Sequence, residues 1–562
     1  MNRSLSKTLF LPGFLLWLFA GMTSHAQEIT IGNPLPVQPS LSGNFGELRP
    51  NHFHAGVDLK TAGREGLEIK SVLDGHVSRI KVSPWGYGKV LYIDHPNGLT
   101  TVYAHLRSFS PKIEAYLKRY QYAQQTWEID LYPGAEELPV TKDEIVALSG
   151  NTGGSAGPHL HFEVRETDTE VPRNPLLYGF PITDHKAPVM EVIAVTPIGN
   201  GSRVNGSDHP FRTRKSGGTI RGAQPVQVQG AFGVEMMGYD SQDDSYNQNG
   251  VFEVQLLVDD SLVSRFVADS IPFHQSRQLN ALIDYTYYYK NRQRYLRLYR
   301  VPGNKLENLS YKNDGILLLP SGTHQIEVIA RDLAGNATAA KFEVSVSEAE
   351  KENEEDEENL IEWDVPYLHE SESAMLYLPA QTLYESIPVD VEEGTIQGRP
   401  SVRILDPSIP VEQVFEIRLK IPEGVDRNGL MIAQVNASGR VSRMLSSTED
   451  GEWMRAESKS LGTFSLSYDQ NAPRILPGNF RSGVSYSSGE LRFEVKDAQS
   501  GIDRYKATID GEWLLMEYEP KQDLMFIHVK DIPQRSEEQH LKLEITDLAG
   551  NVATFEGTLK HP

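Results

Sequence analysis

Three short motifs in the first third of the chain carry side chains that could bind a metal ion and move protons. They are NHFHAGVD at Asn51–Asp58, VYAHL at Val102–Leu106 and GPHLHFEV at Gly157–Val164. Imidazole nitrogens and carboxylate oxygens are typical zinc ligands, and a catalytic zinc site holds three protein ligands and one open position. Histidines that are not ligands can transfer protons near neutral pH. The motifs therefore supply candidate ligands for a metal ion and further histidines that could handle protons.

The local backbone must bring these side chains together. His159 and His161 are two residues apart, so a strand would place both on one face. His54 and Asp58 are four residues apart, which in a straight strand separates their Cα atoms by ~13 Å. One metal ion could not then bind both through bonds of ~2.0–2.2 Å. The backbone must bend between them, and Gly56 is the residue that permits a bend.

Each motif alone has other interpretations. A single His-x-His on a strand is more often a surface or packing feature than a metal site. The chain has no His-Glu-x-x-His sequence, which is the common helical zinc-protease motif. The segment Gly153–Gly157 matches the Gly-x-Ser-x-Gly pattern of serine hydrolases, but that pattern requires a helix to follow. Here Pro158 and a predicted strand follow, so we interpret this match as accidental.

The order of the motifs resembles peptidase family M23, the lysostaphin and LytM-like zinc metallopeptidases. The family pattern is His-x-x-x-Asp, then Tyr-Ala-His-Leu, then a Gly-Asn-Thr-Gly segment that runs into Gly-Pro-His-Leu-His-Phe-Glu. This chain has HAGVD at His54–Asp58, YAHL at Tyr103–Leu106 and SGNTGGSAGPHLHFEV at Ser149–Val164. The resemblance covers residues 40–182.

The resemblance implies a bound Zn²⁺ with His54, Asp58 and His161 as its ligands. It also implies that His105 and His159 are catalytic. An antiparallel β-sheet peptidase domain is expected, which would hydrolyse peptide bonds in the stem or cross-link peptides of peptidoglycan. Which of the two catalytic histidines is the general base is left open, and so is the peptide bond that is cut.

Two neighbouring residues receive a structural interpretation. His52 is out of register with the expected ligands, so we assign it to packing or to the edge of the site. We expect Glu163 to alternate away from the face of His159 and His161 and to serve the strand.

The chain departs from the family pattern between the second and third motifs. Arg107–Asp143 supplies 37 residues where the family has a short connection. Apolar and aromatic residues at helical spacing predict a helix over Pro111–Trp127. Because long insertions next to a site often act as lids or specificity walls, we expect this insert to restrict access to the zinc cleft.

The composition is typical of a multidomain globular protein. A chain of 562 residues is too long for one hydrophobic core, and 39% hydrophobic residues fit folded domains. The formal net charge of −22 argues against binding nucleic acid or anionic lipid, which requires basic surfaces. The chain contains no cysteine, which excludes disulfides and a lipidated N-terminal cysteine.

The N-terminus predicts export. Arg3 and Lys7 precede the apolar run Thr8–Met22, and Ser24–Ala26 supplies small residues, as in a signal peptide cleaved after Ala26. We therefore expect residues 1–26 to be a signal peptide and the mature protein to be periplasmic or secreted. No stable membrane anchor is expected after cleavage.

The remaining sequence predicts a mainly β fold. We expect an M23-type peptidase domain at 27–185, followed by three β-sandwich domains at 186–346, 360–468 and 469–562. Between the first two sandwiches, residues 347–359 contain eight acidic residues and one lysine, which is typical of a solvated linker.

Two similar segments support the sandwich assignment. ARDLAGNAT at Ala330–Thr338 and ITDLAGNVAT at Ile545–Thr554 each read as a turn between the last strands of a domain. These regions resemble bacterial immunoglobulin-like modules. The aromatic and basic run Asp284–Val301 could bind glycan or nucleic acid, although its alternation fits a sandwich strand at least as well.

Three functions compete at this point. The first is zinc-dependent hydrolysis of peptidoglycan peptides. The second is a non-catalytic cell-wall regulator that activates another hydrolase. The third is an envelope adhesion or assembly protein that contacts a protein partner through its C-terminal sandwiches. The presence of all five site residues favours the enzyme.

Overall fold

The computed structural model describes residues 29–222, 225–243, 245–348, 359–436 and 438–561. The predicted signal peptide and most of the predicted linker, residues 349–358, lie outside the described residues. Within the described residues the regular structure is mostly strand and forms four successive β domains, which confirms the predicted mainly β fold. None of the described helices has the length and apolar character needed to cross a membrane.

The N-terminal domain contains a nine-stranded antiparallel sheet and a three-stranded sheet. Its strands β1–β14 are Leu41–Gly43, Leu48–Arg49, His52–Phe53, Val57–Lys60, Glu68–Lys70, Gly75–Val82, Lys89–Asp94, Leu99–Ala104, Ser108–Phe109, Ile129–Leu131, Pro139–Val140, Ile145–Leu148, His159–Glu166 and Pro172–Arg173. The order in the large sheet is β1-β4-β13-β8-β7-β6-β10, with β11 beside β6 and β14 beside β13. The small sheet has the order β5-β12-β9.

Strand β13 lies between β4 and β8 and positions the site. Its core-facing apolar residues are fully buried, and they are Leu160, Phe162 and Val164. His161 lies opposite Asp58 of β4 on one side and opposite Ala104 of β8 on the other. Because His105 directly follows Ala104, three adjacent strands bring the three motifs together.

The insert after β8 does not cover the predicted cleft. Helix α1, Pro111–Gln124, ends where Gln125 takes a left-handed conformation with φ of 51°. The helix is therefore three residues shorter than predicted. After it, β10 and β11 pair with β6, at the edge of the large sheet opposite to β1. The expectation of a lid is wrong, because the insert extends the sheet away from β4 and β13.

The insert packs instead on the last domain of the chain. Tyr122 meets Trp513 edge to face, with ring centroids 5.3 Å apart. Lys118 pairs with Asp531 at 3.0 Å, and Leu515 joins the apolar core of the N-terminal domain. The last domain therefore lies directly against the N-terminal domain, although the two are far apart in sequence.

The first sandwich packs a five-stranded sheet on a seven-stranded sheet. Its strands β15–β26 are Val189–Pro197, Arg203–Val204, Phe211–Ser216, Thr219–Ile220, Val226–Gln229, Phe232–Tyr239, Glu253–Val258, Ser261–Val267, Leu296–Arg297, Leu309–Tyr311, Gly322–Arg331 and Ala337–Ser347, and its helices α2 and α3 are Leu279–Leu282 and Tyr285–Asn291. Phe45 and Phe53 of the N-terminal domain pack into its core. The aromatic run Asp284–Val301 forms α3 and a short strand rather than one long strand, and Tyr295 and Tyr299 are buried.

The third domain of the chain contains two five-stranded sheets and a two-stranded sheet, and the last domain contains a four-stranded and a five-stranded sheet. Strands β27–β38 are Leu360–Ile361, Tyr367–Glu370, Ala374–Leu378, Ile387–Pro388, Val391–Ile396, Arg399–Ile404, Phe415–Lys420, Leu430–Val435, Val441–Met444, Ser447–Asp450, Trp453–Ser458 and Gly462–Tyr468. Strands β39–β47 are Arg474–Pro477, Val484–Ser485, Glu490–Lys496, Ile502–Ile509, Glu512–Leu514, Glu517–Glu519, Leu524–His528, Glu538–Asp547 and Val552–Lys560. Short 3-10 helices are Pro175–Tyr178, Phe273–Gln278, Asn313–Gly315, Pro520–Gln522 and Val529–Asp531. The repeated turns connect β25 to β26 and β46 to β47, and an immunoglobulin-like relationship stays a prediction.

Candidate active site

His54, Asp58 and His161 converge on one buried point. His54 Nε2 lies 3.0 Å from Asp58 Oδ1 and 2.9 Å from His161 Nδ1. His161 Nδ1 lies 3.0 Å from the same carboxylate oxygen. This triangle of ligand atoms is close to the size that one zinc ion with bonds of ~2.0–2.2 Å requires.

The hydrogen bonds of the two rings fit neutral tautomers whose lone pairs face this triangle. His54 Nδ1 donates to the backbone carbonyl of Asn44 at 2.7 Å, so a neutral ring keeps a lone pair at Nε2. His161 Nε2 donates to Glu163 Oε1 at 2.8 Å, which leaves the lone pair at Nδ1. Although burial lowers it, hydrogen bonds to Asp58 and Glu163 raise the pKa of His161 to about 9, so in the absence of a metal ion a proton at Nδ1 pairs with Asp58 and competes with the metal for this point. In the neutral tautomers the residues fit a zinc ion, and these are the three ligands that the sequence predicts.

The bend between His54 and Asp58 arises because β4 begins only at Val57, so His54 lies in the connection before the strand. Gly56 does not take the left-handed conformation. Its contribution is close packing, since a Cβ atom at this position would lie 2.4 Å from the carbonyl oxygen of Phe162 on β13.

Glu163 belongs to the site, so the sequence interpretation of this residue is wrong. It follows His161 by two residues on β13, and residues at that spacing share a face of the strand. The buried carboxylate also accepts hydrogen bonds from Arg165, at 2.6 Å, and from the Tyr87 hydroxyl. Although burial disfavours its charge, Arg165 and His161 lower the pKa of Glu163 to about 2. The ionised carboxylate fixes the tautomer and orientation of His161.

We expect Glu163→Gln to weaken zinc binding by about 10- to 100-fold, because an outer carboxylate that holds a metal-binding histidine has effects of that order. A titration against a chromophoric zinc chelator measures the affinity. Glu166→Gln is the matched control, since Glu166 lies at the end of the same strand and pairs with Arg173. Equal affinity in the two variants would contradict the role of Glu163.

Two more residues position the ligands and belong to no motif. Arg49 donates to Asp58 Oδ2 at 2.5 Å, which leaves Oδ1 for the triangle. The carbonyl of Asn44 orients His54, and the Asn44 side chain is itself held by Gly250 of the first sandwich through bonds of 2.7 and 2.8 Å. Sequence spacing gives no signal for either residue, because only the folded sheet and the neighbouring domain bring them to the site.

His105 and His159 line the cleft beside the triangle. His105 Nδ1 donates to the carbonyl of Thr152 at 2.9 Å, and His159 Nδ1 donates to that of Gly157 at 2.8 Å. Each ring therefore keeps Nε2 as an acceptor. His159 Nε2 is buried, has no hydrogen-bond partner among the described residues and lies 3.4 Å from Asp58 Oδ1. The structure thus brings all five predicted residues into one site.

The backbone at His105 is strained. Its φ is 58°, a left-handed conformation that costs about 1 kcal/mol or more outside glycine and is typical of functional positions. The His105 N–H donates to the carbonyl of Tyr87 at 2.9 Å, and this hydrogen bond holds the His105 backbone in the left-handed conformation. Burial, together with the nearby His161 and His159, lowers the pKa of His105 to about 3. The ring is therefore uncharged near pH 7.

The loop Gly153–Gly157 forms one wall of a cleft of about 450 Å³. Gly153 has φ of +70°, and a Cβ atom there would lie 2.3 Å from the backbone nitrogen of Gly88. The Ser155 hydroxyl donates to the carbonyl of Gly157 at 2.8 Å. Since the loop enters strand β13 and not a helix, the Gly-x-Ser-x-Gly match does not form a nucleophile turn.

The site lies within a match to a known family. The sequence model that describes peptidase family M23 matches residues 52–175 of this chain. This region of the chain is an M23 peptidase domain. The model of the Zu5-like domain matches residues 358–469, which contain the second sandwich.

Curated relatives match about a quarter of the chain. DD-carboxypeptidase/endopeptidase Mpg of Neisseria meningitidis serogroup B is 31% identical over 129 residues, which cover 23% of this chain and 23% of the relative. An uncharacterized metalloprotease of Haemophilus influenzae is 33% identical over 159 residues, which cover 27% of each chain. The chain thus spans 23–27% of the length of these relatives. The likeness supports peptidase activity in the M23 domain.

Solved structures match about a quarter of the chain. A zinc-containing peptidase from Vibrio cholerae is 25% identical and covers 26% of this chain and 40% of its own, with a TM-score of 0.19. The catalytic domain of the antimicrobial peptidase lysostaphin from Staphylococcus simulans is 19% identical and covers 25% of this chain and 89% of its own, with a TM-score of 0.18.

Proposed function

We propose that this protein is a zinc-dependent endopeptidase that hydrolyses peptide bonds in the stem or cross-link peptides of peptidoglycan. The observation that carries the proposal is the convergence of three ligand atoms, from His54, Asp58 and His161, beside two histidines whose Nδ1 atoms are held by backbone carbonyls. The M23 match and the peptidase names of the relatives support the reaction class.

The three ligands would hold the metal, and the two other histidines would handle protons. Bound zinc supplies Lewis-acid chemistry towards a water molecule and the scissile carbonyl. His105 and His159 lie with ring centroids 4.8 Å apart, so one water molecule between them can donate to both Nε2 atoms. The ring that takes the water's proton can then pass it to the leaving amine.

We also propose that the protein acts outside the cytoplasm, on the basis of the predicted signal peptide at residues 1–26. N-terminal sequencing of the mature protein is expected to begin at Gln27. A mature chain that still begins at Met1 would contradict export by this route.

A non-catalytic regulator is not favoured, because every candidate ligand and both candidate proton carriers are present and each histidine ring is held by a hydrogen bond to a backbone carbonyl or a carboxylate. An adhesion or assembly role in the C-terminal domains would persist after His54→Ala, whereas peptide hydrolysis would not.

The test is incubation of zinc-loaded protein, residues 27–562, with peptidoglycan sacculi. New amine termini are expected from the wild type and not from His54→Ala. His52→Ala is the matched control, because His52 is exposed and its Nδ1 contacts the carbonyl of Pro50 at 2.8 Å. No new amine termini from wild-type protein with bound zinc would overturn the proposal.

The last domain contacts the loop that orients His105. The Lys521 ammonium donates to the carbonyls of Gly153 and Ser155, each at 3.1 Å, and to the carbonyl of Asn151, which lies just before the glycine loop. Thr152, whose carbonyl accepts a hydrogen bond from His105, lies between Asn151 and Gly153. Lys521 is therefore a positioning residue contributed by a domain more than 350 residues downstream.

We expect Lys521→Met to lower kcat/KM by about 10-fold with zinc content unchanged, because small displacements of a catalytic group have effects of that order or larger. Zinc content is measured by mass spectrometry, and kcat/KM is measured on a soluble cross-link peptide. Lys506→Met, which changes an exposed lysine on β42 of the same domain, is expected to leave both unchanged. Wild-type kcat/KM in Lys521→Met would show that the contact does not position the loop.

A further inference from the structure

An acidic cluster lies in the first sandwich, outside the M23 site. Asp184 precedes β15, Asp240 follows β20 and Asp332 follows β25. One carboxylate oxygen from each lies within 4.8 Å of the others, and Asp240 and Asp332 are only 3% and 4% exposed. Three carboxylates held this close in a buried place repel one another strongly unless a cation binds.

Asp240 carries the observation that points to a ligand. Its Oδ1 is buried and has no hydrogen-bond partner among the described residues, while Oδ2 has a long contact of 3.5 Å with Gln242 Nε2. Asp332, in contrast, accepts from the backbone and side-chain nitrogens of Asn336 at 2.8 and 2.7 Å. Burial and the neighbouring carboxylates raise the pKa of Asp240 to about 7. A buried carboxylate oxygen without a partner is costly, and a bound cation would satisfy it.

The last sandwich repeats the arrangement with Asp469, Asp497 and Asp547. In both domains the first aspartate begins an Asp-x-x-Ala-Pro sequence and the third begins Asp-Leu-Ala-Gly-Asn. The asparagine of that turn bonds the third aspartate and the carbonyl of the first, at 2.7 and 3.3 Å for Asn336 and at 2.8 and 3.1 Å for Asn551. Two separate domains therefore build the same geometry.

The two clusters differ in what satisfies their carboxylates. Asp497 Oδ2 accepts the backbone N–H groups of Gln499 and Gly501 at 2.9 and 2.7 Å. Asp469 Oδ2 accepts that of Ser500 at 3.0 Å. Of the six aspartates in the two clusters, Asp240 is the one with a buried carboxylate oxygen that has no partner among the described residues, so we assign a cation site to the first cluster alone.

We propose that Asp184, Asp240 and Asp332 bind one divalent cation of the calcium class. All three donors are carboxylate oxygens, which suit hard cations, whereas zinc in proteins favours nitrogen and sulfur ligands. The three ligands come from three separate connections of the sandwich. Ca²⁺ accepts such irregular sets of protein oxygens, while Mg²⁺ requires near-octahedral geometry and keeps most of its water.

The proposed site lies at the boundary with the M23 domain. Asp240 and Asn44 both line a cavity of about 210 Å³ between the two domains. Asp240 forms a backbone bridge with Asn249, and the next residue, Gly250, binds the Asn44 side chain. Since the carbonyl of Asn44 orients His54, the cation would stabilise the end of the sandwich that supports a zinc ligand.

The test is thermal unfolding of the chain without its predicted signal peptide, in metal-depleted buffer with one equivalent of Zn²⁺ in every sample. CaCl₂ at 1 mM is expected to raise the Tm of the wild type by roughly 5–10 °C, as for a ligand present at ~100 times its Kd. Asp240→Asn is expected to lose this shift, yet to be at least as stable as the wild type without calcium, because it removes a buried repulsive charge. Asp243→Asn, which changes an exposed ion pair with His185, keeps the shift.

Three results would overturn the proposal. One is the absence of a calcium-dependent shift in the wild type. A second is a calcium-dependent rise in Tm of Asp240→Asn that equals that of the wild type. If Asp497→Asn loses the rise instead, the cation binds in the last sandwich. A third is an equal shift with 1 mM MgCl₂, which would exclude the calcium class. None of these outcomes depends on peptidase activity, so they are independent of the proposed hydrolysis.

Discussion

Asp58→Asn is expected to abolish zinc retention and to lower kcat/KM by more than about 100-fold, the upper end of the effect of an outer partner of a metal ligand. The carboxylate supplies the anionic member of the triangle, 3.0 Å from both His54 Nε2 and His161 Nδ1. An amide keeps the shape but loses the charge. Its NH₂ group can also donate to the two ring lone pairs, so hydrogen bonds would occupy the place of the cation.

The same substitution separates loss of metal from loss of fold. Without zinc, Asp58→Asn is expected to unfold at a lower temperature than the wild type but still cooperatively, because the amide loses the ion pair with Arg49 and the pairing with the histidines that holds the pKa of Asp58 well below its usual range despite burial. With zinc, only the wild type should gain stability, by about 4 kcal/mol at ~1,000 times Kd. His52→Ala is the matched control and should retain zinc. Zinc content and hydrolysis at wild-type levels in Asp58→Asn would refute the ligand assignment.

The structure brings the five predicted residues together, and the sequence signals for them are local. His159 and His161 show a two-residue spacing that a strand converts directly into a shared face. His54 and Asp58 fall within one motif, and His105 falls within another. The alternation of apolar residues similarly predicts strands, and the mainly β fold follows from it.

The residues that were missed depend on pairing between distant segments. Arg49 and Asn44 reach the ligands only through the fold, and Lys521 reaches the glycine loop only because the last domain docks on the M23 domain. The error at Glu163 has a different origin, since its position two residues after His161 placed it on the same face. The two-residue spacing along a strand was therefore enough to predict that Glu163 shares a face with His161.

The insert shows a limit of motif-based reasoning. Its place in the sequence, directly after His105, suggested a lid over the cleft. Its place in space is set by the pairing of β10 and β11 with β6 and by contacts of Tyr122 and Lys118 with the last domain. Access to the cleft is therefore expected to depend on the last domain and the glycine loop more than on the insert.

His159→Ala and His105→Asn are each expected to lower kcat by about 10²- to 10⁴-fold while zinc stays bound, which is the range for loss of a proton-transfer group. Neither residue belongs to the ligand triangle, and each ring is held through Nδ1 by a backbone carbonyl. Asparagine is chosen at His105 because it tolerates the left-handed backbone, with φ of 58°, better than most residues. Zinc content and kcat are measured on the same preparations, with His76→Asn on β6 as the control.

The double variant tests whether the two histidines act on one water molecule. If both Nε2 atoms serve a single proton transfer, removing the second ring costs little once the first is gone, since residues that act as a unit are strongly non-additive. We therefore expect the double variant to have nearly the kcat of the slower single variant. Fully multiplicative losses would instead assign separate steps to the two rings. Loss of zinc in either single variant would show that the ring supports the metal site and would refute a purely proton-handling role.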